Sequence, residues 1–332
     1  MSTINIYGMG AALVDTEIEV SESTLQSLNV EKGLMTLVDE ERQAALTKAA
    51  QEHANIVKRS SGGSAANTII AASYFGSKAY YSCKVANDTD GQLYLNDLGQ
   101  AGVQFSTTTA VAKDASTTGK CLVFITPDAQ RSMNTYLGVS ESISTEQIDE
   151  SAVCSSHWVY IEGYLVTSNT GKPAAIKLRE LAQKNDVKTA FSLSDPAMAE
   201  FFCDGLKEMI GKHVDLLFCN EQEALHFTGT QTLDDACEQL KQYAKTFAIT
   251  LGEKGAKLFN GDQYIEVDAH TVKAVDTNGA GDMFAGAFLH ALSQGQTFEQ
   301  AGKLASKASS VVVSQFGPRL KPEQHKDILN SL

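Results

Sequence analysis

The fold is decided by the stretch Asp276-Thr277-Asn278-Gly279-Ala280-Gly281-Asp282, which runs directly into Met283-Phe284-Ala285-Gly286-Ala287-Phe288-Leu289. A glycine-rich turn that feeds a helix points several free backbone N–H groups at one spot, and the helix dipole adds partial positive charge there. The nearly all-apolar helix is typical of a buried helix, which would hold the turn rigidly from inside the protein. The stretch therefore predicts an anion-binding turn, and phosphate is the usual anion.

Asp282 ends this turn, and its carboxylate has two interpretations. An aspartate in the first turn of a helix is favourable and common as a cap. An acid beside an anion site repels the anion, and its presence makes sense if it takes the proton of a hydroxyl that attacks a phosphate. For an isolated Gly-x-Gly-Asp the cap is the commoner case, so the rest of the chain has to decide.

The composition describes an acidic globular chain. It has 332 residues, of which 43% are hydrophobic, and a formal net charge of −13. This is enough apolar material for a sizeable core. An acidic surface argues against nucleic acid or an anionic membrane as the main partner. An anionic substrate would need a local site lined by backbone amides, such as the glycine turn.

The cysteines and the N-terminus bear on the compartment. The six cysteines include no Cys-x-x-Cys pair, and several lie in apolar strand-like runs. We interpret them as reduced core residues of a cytoplasmic protein. The first residues lack the basic and apolar segments of a signal peptide, and no apolar run approaches the length of a membrane span.

The order of predicted elements favours an α/β fold. From Trp158 onward, strands and helices alternate regularly, which predicts a mostly parallel sheet covered by helices on both faces, in three layers. Two blocks, approximately 13–38 and 104–138, alternate like strands and interrupt this order. We expect them to form a small β-sheet lid inserted into a single α/β domain, 1–332.

Several polar groups fall at the predicted carboxyl ends of strands, where open α/β sheets bind ligands. Asp15 follows the first strand, where it could also be an outward strand residue. Asn220 and Glu223 could hold a hydrated magnesium ion, or be a helix cap with a first-turn acid. Gly252 and Gly255, in the segment that begins at Thr250, form either a tight turn or a backbone surface on which a nucleotide lies.

Two further glycine segments each have more than one interpretation. Gly62-Gly63 enters an alanine-rich helix and is either a plain turn or a hinge that touches a ligand. Asn67, one turn into that helix, needs a polar partner if it is buried. Gly8-x-Gly10 comes close to a dinucleotide fingerprint, but the third position is Leu13. No P-loop motif occurs.

Taken together, these residues resemble the ribokinase-like (PfkB) carbohydrate and nucleoside kinases over nearly the whole chain. The turn 276–282 is similar to the highly specific second signature of that family, and Gly62-Gly63 with Asn67 to the first. Asn220-x-x-Glu223 and Thr250-x-Gly252-x-x-Gly255 match in order and spacing. The resemblance favours the catalytic interpretation of Asp282 over the cap.

The resemblance implies a role for each matching residue. Asp282 would be the catalytic base, and the amides of Gly279, Ala280 and Gly281 the anion hole. Arg131, in the lid block, would meet the transferring phosphate. The implied substrate-binding residues are Asp15, Gly62, Gly63, Asn67 and Tyr164, although Tyr164 is equally plausible as a core tyrosine. The implied ATP-binding residues are Asn220, Thr250, Gly252, Gly255 and Asn278, with Glu223 and Asn220 holding Mg²⁺ through water.

Within the family the chain looks most like the adenosine kinases. The expected activity is ATP-dependent phosphorylation of a nucleoside 5′-hydroxyl, with adenosine as the favoured acceptor and K⁺ as a further candidate cofactor. The nearest alternative is the same chemistry on a free sugar such as ribose, fructose or a keto-deoxy acid, and a further one is the phosphorylation of another purine nucleoside. A dinucleotide-dependent oxidoreductase and a non-catalytic relative are more distant alternatives. We expect a monomer or a homodimer.

Overall fold

The computed structural model describes residues 4–53, 55–112, 116–128 and 130–331. Strands and helices alternate along most of this range, with extra strands near the N-terminus. The strands are β1 (Ile4–Met9), β2 (Leu13–Glu19), β3 (Met35–Leu37), β4 (Asn55–Gly62), β5 (Ala79–Ser82), β6 (Gly119–Ile125), β7 (Arg131–Tyr136), β8 (Ser156–Glu162), β9 (Lys188–Ser192), β10 (Val214–Asn220), β11 (Ala244–Thr250), β12 (Ala256–Phe259) and β13 (Tyr264–Val267).

The helices range from one turn to four. They are α1 (Glu22–Ser27), α2 (Glu40–His53), α3 (Ser64–Tyr74), α4 (Thr89–Gln100), α5 (Thr107–Ala110), α6 (Glu150–Cys154), α7 (Gly171–Lys184), α8 (Pro196–Phe201), α9 (Cys203–Ile210), α10 (Glu221–Thr228), α11 (Leu233–Leu240), α12 (Ala280–Ser293), α13 (Phe298–Val312) and α14 (Pro322–Asn330). Among the described residues, none of the helices is long and apolar enough to cross a membrane.

The large sheet has the strand order β13-β12-β11-β10-β9-β8-β1-β5 in the described part of the chain. Its strands from β11 to β5 are parallel, and the hairpin β12–β13 adds an antiparallel edge. Parallel strands need crossover connections, which the helices between them supply. The predicted mostly parallel sheet is therefore confirmed.

Helices cover both faces of this sheet. Strand β8 shows why, because Trp158 and Tyr160 pack into one core while Val159 and Ile161 pack into the other. Helices α3, α4, α12 and α13 enclose the first core, and α6 to α11 enclose the second. A strand that is apolar on both sides is stable only between two such layers. The expected α/β fold of three layers is confirmed.

The small sheet has the order β3-β7-β6-β2-β4. Helices α1 and α2 pack on one face and form a core of its own, in which Ile18, Leu46 and Phe124 are buried. The other face, which carries Cys121 and Met133, is turned toward a cavity above the large sheet. We call this small sheet with α1 and α2 the lid.

The lid differs in two places from the predicted segments 13–38 and 104–138. Strand β4 lies outside both segments, yet it pairs along the whole of β2. Conversely, Gln104 and Val111 form bridges to Tyr80 and Val85 beside the large sheet, so residues near 104–111 do not belong to the lid sheet. The lid is thus built from one more strand than the alternation of apolar residues indicated.

Candidate active site

The glycine turn lies at the N-terminus of α12 and is held from two sides. Gly279 caps the helix with φ +75°, and a Cβ there would lie 2.5 Å from the carbonyl oxygen of Pro318. Asp276 accepts hydrogen bonds from the backbone N–H of Asn278 (3.0 Å) and of Gly317 (2.8 Å). Only glycine fits the left-handed, crowded backbone position at residue 279. The amides of the turn are therefore fixed before any ligand arrives.

Asp282 bonds across to α3, and its side chain does not cap its own helix. Ser64 Oγ donates to one carboxylate oxygen at 2.6 Å, and Asn67 Nδ2 donates to the other at 3.1 Å. These two side chains come from the segment that follows Gly62-Gly63. The two glycine motifs thus meet at one carboxylate, as expected if the acid faces a binding site.

The second glycine motif is packed against Asp15. A Cβ on Gly62 would lie 2.2 Å from the Asp15 carboxyl group, and Gly63 has φ +94° with Ala11 O 2.4 Å from where its Cβ would be. Burial raises the pKa of Asp15 to about 7, against the lowering effect of the Arg319 charge. The small residues let two backbone segments and a carboxylate share one corner of the site.

At the carboxyl ends of β10 and β11 lie the residues predicted to bind nucleotide and metal. Asn220 and Glu223 form a capping box, in which Asn220 N donates to Glu223 Oε2 at 3.0 Å and Glu223 N to Asn220 Oδ1 at 2.8 Å. Burial raises the pKa of Glu223 to about 7. The cap interpretation is therefore correct as geometry, and the same carboxylate also lines the cavity.

One cavity of about 480 Å³ gathers most of the predicted site. Gly62, Gly255 and Arg131 do not line it. Gly255 instead makes a tight turn, because a Cβ there would lie 2.0 Å from Val267 O. The predicted site residues that line the cavity are Asp15, Gly63, Asn67, Tyr164, Asn220, Glu223, Thr250, Gly252, Asn278, Gly279, Ala280, Gly281 and Asp282.

Comparison with known proteins identifies the family. Residues 33–325 match the family described as pfkB family carbohydrate kinase, which is most of the chain. The chain belongs to this family. The resemblance drawn from the glycine motifs, and with it the kinase assignment, is confirmed.

Individual pfkB relatives are similar to this chain over nearly its full length. An adenosine kinase from Schizophyllum commune is 27% identical over 351 residues, covering 97% of this chain and 98% of that protein. The crystal structure of adenosine kinase from Sinorhizobium meliloti superimposes with a TM-score of 0.91 at 31% identity and covers 100% of both chains. A probable sugar kinase from Rhizobium etli gives a TM-score of 0.90 at 31% identity, covering 100% of this chain and 99% of that one.

Arg131 lies apart from the main cavity of this pfkB family member. Its guanidinium contacts Asp276 (Nη2 to Oδ2, 2.5 Å) and Glu17 (Nη1 to Oε1, 3.4 Å), and only 7% of its side chain is exposed. It lines a neighbouring cavity of about 830 Å³, which Asn278 also lines. Arg131 therefore joins the lid to the first residue of the glycine turn, and its contact with a transferring phosphate stays a prediction.

Sequence reasoning missed Glu162, at the end of β8. Its carboxylate accepts the backbone N–H of Ala11 at 2.7 Å and of Ala65 at 2.8 Å, and it is 1% exposed. Burial raises its pKa to about 7. Glu162 thus ties the loop after β1 to the first turn of α3, and it also lines the cavity. The signal available in the sequence was an acid directly after the apolar strand that begins at Trp158.

Replacing Glu162 by Gln should destabilise the protein, because one amide N–H of the site would then face the NH₂ group of Gln. We expect the free energy of unfolding to fall by about 1–3 kcal/mol. The measurement is urea denaturation at pH 8, where the carboxylate is ionised. Glu200→Gln, at an exposed position, is the control, and equal stability of the two variants would contradict the assigned bonds.

The acid limb of activity should report the environment of Asp282. Burial raises its pKa to about 6, although the hydrogen bonds from Ser64 and Asn67 and the charge of Arg319 act in the opposite direction. A base must be ionised, so kcat/KM should fall as the pH drops below about 6, well above the ordinary aspartate value of 3.8. The measurement is the pH profile of kcat/KM for an accepted substrate.

The variant Ser64→Ala tests whether Asp282 controls the acid limb of the kcat/KM profile. It removes a hydrogen bond that lowers the pKa of Asp282, so the limb should move to higher pH. A wild-type limb near pH 4, or a limb that Ser64→Ala leaves in place, would show that another group controls the profile.

Proposed function

We propose that this kinase transfers the γ-phosphoryl group of ATP to the 5′-hydroxyl of adenosine, giving AMP and ADP. The observation that carries the proposal is that Asp282 and the amides of the turn 279–281 open onto one cavity together with Asp15, Asn67 and Glu223. Full-length similarity to adenosine kinases supports the choice of acceptor.

In the proposed reaction the acceptor oxygen bonds to the γ-phosphorus, and the bond from that phosphorus to the bridging oxygen of ADP breaks. The hydroxyl proton passes to Asp282, which Ser64 and Asn67 orient. The N-terminal amides of α12 supply donors for the phosphoryl oxygens. Phosphoryl transfer needs such positioning and charge neutralisation more than covalent help.

The acceptor's ribose would lie between Asp15, Gly63 and Asn67. Asn67 uses its amide nitrogen to hold Asp282, while its buried oxygen has no hydrogen-bond partner among the described residues. A buried acceptor of this kind calls for a donor, and a sugar hydroxyl provides one. Asp15, ionised, would accept a second hydroxyl.

The nucleobase would lie against the inner face of the lid. That face is apolar where it meets the cavity, through Met35, Leu37, Cys121 and Met133. Tyr164 packs partly against the second core and also lines the cavity, so both of its predicted roles are compatible with its position. A flat, largely apolar base covers such a surface better than a free sugar does.

ATP would bind along Asn220, Thr250, Gly252 and Asn278. The described residues hold no cluster of three or more His, Cys, Asp or Glu suited to a metal, which fits a Mg²⁺ ion bound mainly by phosphates and water. Glu223 would contact it through water, because both of its oxygens already accept bonds from Asn220. When bound, Mg²⁺ neutralises phosphate charge.

Closure of the lid would exclude water from the site and so protect ATP from hydrolysis. We further propose that Arg131 turns its guanidinium from Asp276 toward the transferring phosphate during turnover. The free thiols of all six cysteines suit the reducing cytoplasm in which we place the reaction.

A sugar kinase is the second candidate. It is favoured by the similarity to the probable sugar kinase of Rhizobium etli and by the two acids, Asp15 and Glu162, on the acceptor side of the cavity. Both candidates use the same base and the same turn. They differ only in what covers the inner face of the lid.

The deciding experiment incubates the purified protein with Mg-ATP and a panel of nucleosides and sugars, and measures ADP formation and the phosphorylated product. Adenosine is expected to give the highest kcat/KM, with AMP as product. Met133→Glu, which places a charge on the apolar face of the lid, should lower kcat/KM for adenosine more than for any sugar. A free sugar as the best acceptor would overturn the proposal in favour of the second candidate.

A further inference from the structure

The short segment 317–319 connects two parts of the site that are far apart in sequence. Gly317 donates its N–H to Asp276, and Pro318 packs directly against Gly279. The next residue, Arg319, points the other way, to the end of β4. The segment therefore touches the anion turn with one end and the base of the lid with the other.

The side chain of Arg319 is largely enclosed, with 9% of it exposed, and it contacts three acceptor atoms on two residues. It donates to the carbonyl oxygen and the hydroxyl of Ser61 and to Asp97 Oδ2, the last at 3.2 Å. Asp97, on α4, also accepts the N–H of Ser61 at 2.9 Å. Ser61 directly precedes Gly62-Gly63, so this contact fixes the point where the lid strand β4 enters α3.

The charge of Arg319 also reaches the acids of the site. It lowers the pKa of Asp15 and that of Asp282, whereas Arg131 has this effect on Asp15 alone. The other titratable groups that interact with these two acids are Glu17, Glu162 and Glu223, the phenols of Tyr160 and Tyr164, and the thiol of Cys121. Apart from Arg131 these neighbours are acids, phenols and a thiol, so a largely enclosed cation on this side offsets the repulsion between their negative charges.

We propose that Arg319 is a positioning residue of the phosphotransfer site: it locks the hinge of the lid at Ser61 to the anion turn, and it supplies the positive charge that faces Asp15 and Asp282. The inference rests on the proposed function for its catalytic meaning, but the contacts and the charge can be tested without turnover. No sequence motif marks this residue.

The test follows Asp282 directly. Protein labelled with ¹³C at the aspartate carboxyl groups is titrated by NMR, and the Asp282 signal is assigned by its loss in Asp282→Asn. Arg319→Gln should raise the midpoint of this titration by roughly half a unit to one unit. Arg319→Lys keeps the charge and should leave the midpoint near that of the wild type. Hydrogen exchange of the amides at 61–64 and 277–281 should be faster in Arg319→Gln in both segments.

Two further variants distinguish the proposed role of Arg319 from a general loss of structure. Arg179 is buried and bonds Met209 O at 2.9 Å, outside the cavity, so Arg179→Gln should change neither readout. Asp97→Asn keeps Arg319 and removes its counter-charge, so the Asp282 midpoint should move down, and this variant serves if Arg319→Gln does not fold.

The outcomes are distinct. An unchanged midpoint in Arg319→Gln, an upward shift in Asp97→Asn, or faster exchange in only one of the two segments would overturn the proposal. A wild-type protein that phosphorylates no nucleoside would reject the proposed function, while these readouts would still decide the role of Arg319.

Discussion

Replacing Asp282 by Asn should lower kcat by at least ~10²-fold, the typical contribution of a positioned general base. The amide keeps the shape of the side chain and can still accept the hydrogen bond of Ser64, but it cannot take the hydroxyl proton. The measurement is steady-state kinetics with saturating Mg-ATP, together with calorimetric binding of the acceptor. Binding should persist, because the loss concerns the reacting hydroxyl.

The control for this variant is its stability. The NH₂ group of the new asparagine would face Nδ2 of Asn67, but the Asn67 amide can turn and present its oxygen, which has no other partner among the described residues. Because burial also disfavours the ionised carboxylate, Asp282→Asn should unfold at a temperature no lower than that of the wild type. Near-normal turnover in Asp282→Asn would reject the role of base and leave the residue a structural link between α12 and α3. A loss of both binding and folding would also contradict the assignment.

The second large effect is expected from Gly279→Ala. Alanine at φ +75° costs about 1–2 kcal/mol in the left-handed region, and its Cβ would lie 2.5 Å from Pro318 O. With the strain of overpacking, the free energy of unfolding should fall by on the order of 2–4 kcal/mol. Since the turn must shift to relieve the overlap, kcat/KM should also fall in the folded fraction. Urea denaturation and kinetics at low temperature measure the two effects.

Gly281→Ala is the matched control for stability. The two glycines lie two residues apart, but a Cβ at Gly281 would meet no protein atom within 4 Å. Its free energy of unfolding should stay within about 0.5 kcal/mol of the wild type. Equal loss of stability in both variants would mean that the turn is not held by the segment around Pro318.

The glycine turn could be predicted from sequence because its chemistry is local. Gly279, Ala280, Gly281 and Asp282 are consecutive, and the apolar run that follows them predicts a buried helix on its own. The parallel sheet was equally accessible, since strands rich in apolar residues alternate regularly with helices from Trp158 onward. These features depend on neighbours in sequence, which a single chain displays in full.

The features that the sequence did not predict depend on contacts between residues that are far apart in the chain. Strand β4 contains Lys58, Arg59, Ser60 and Ser61 in succession, so no alternation of apolar residues marks it, and its pairing with β2 defines it instead. Glu162 could not be recognised as a buried acid, because the two backbone amides that make its burial tolerable belong to distant segments of the chain. No glycine or proline lies within two residues of Phe202, where the helical segment 196–210 is divided into α8 and α9.

The strand order affects how the protein folds during its synthesis. Strand β1 precedes β5 and β8 in the chain, yet it lies between them in the sheet, and α12 packs over the same core. In a nascent chain, β1 therefore lacks its neighbour β8 until residues 156–162 emerge. The face of β1 that packs into the first core also stays uncovered until α12 follows. Such long-range strand pairing is slow and leaves aggregation-prone apolar surface exposed. We therefore expect this protein to depend on chaperones during synthesis more than a helical bundle of equal size does.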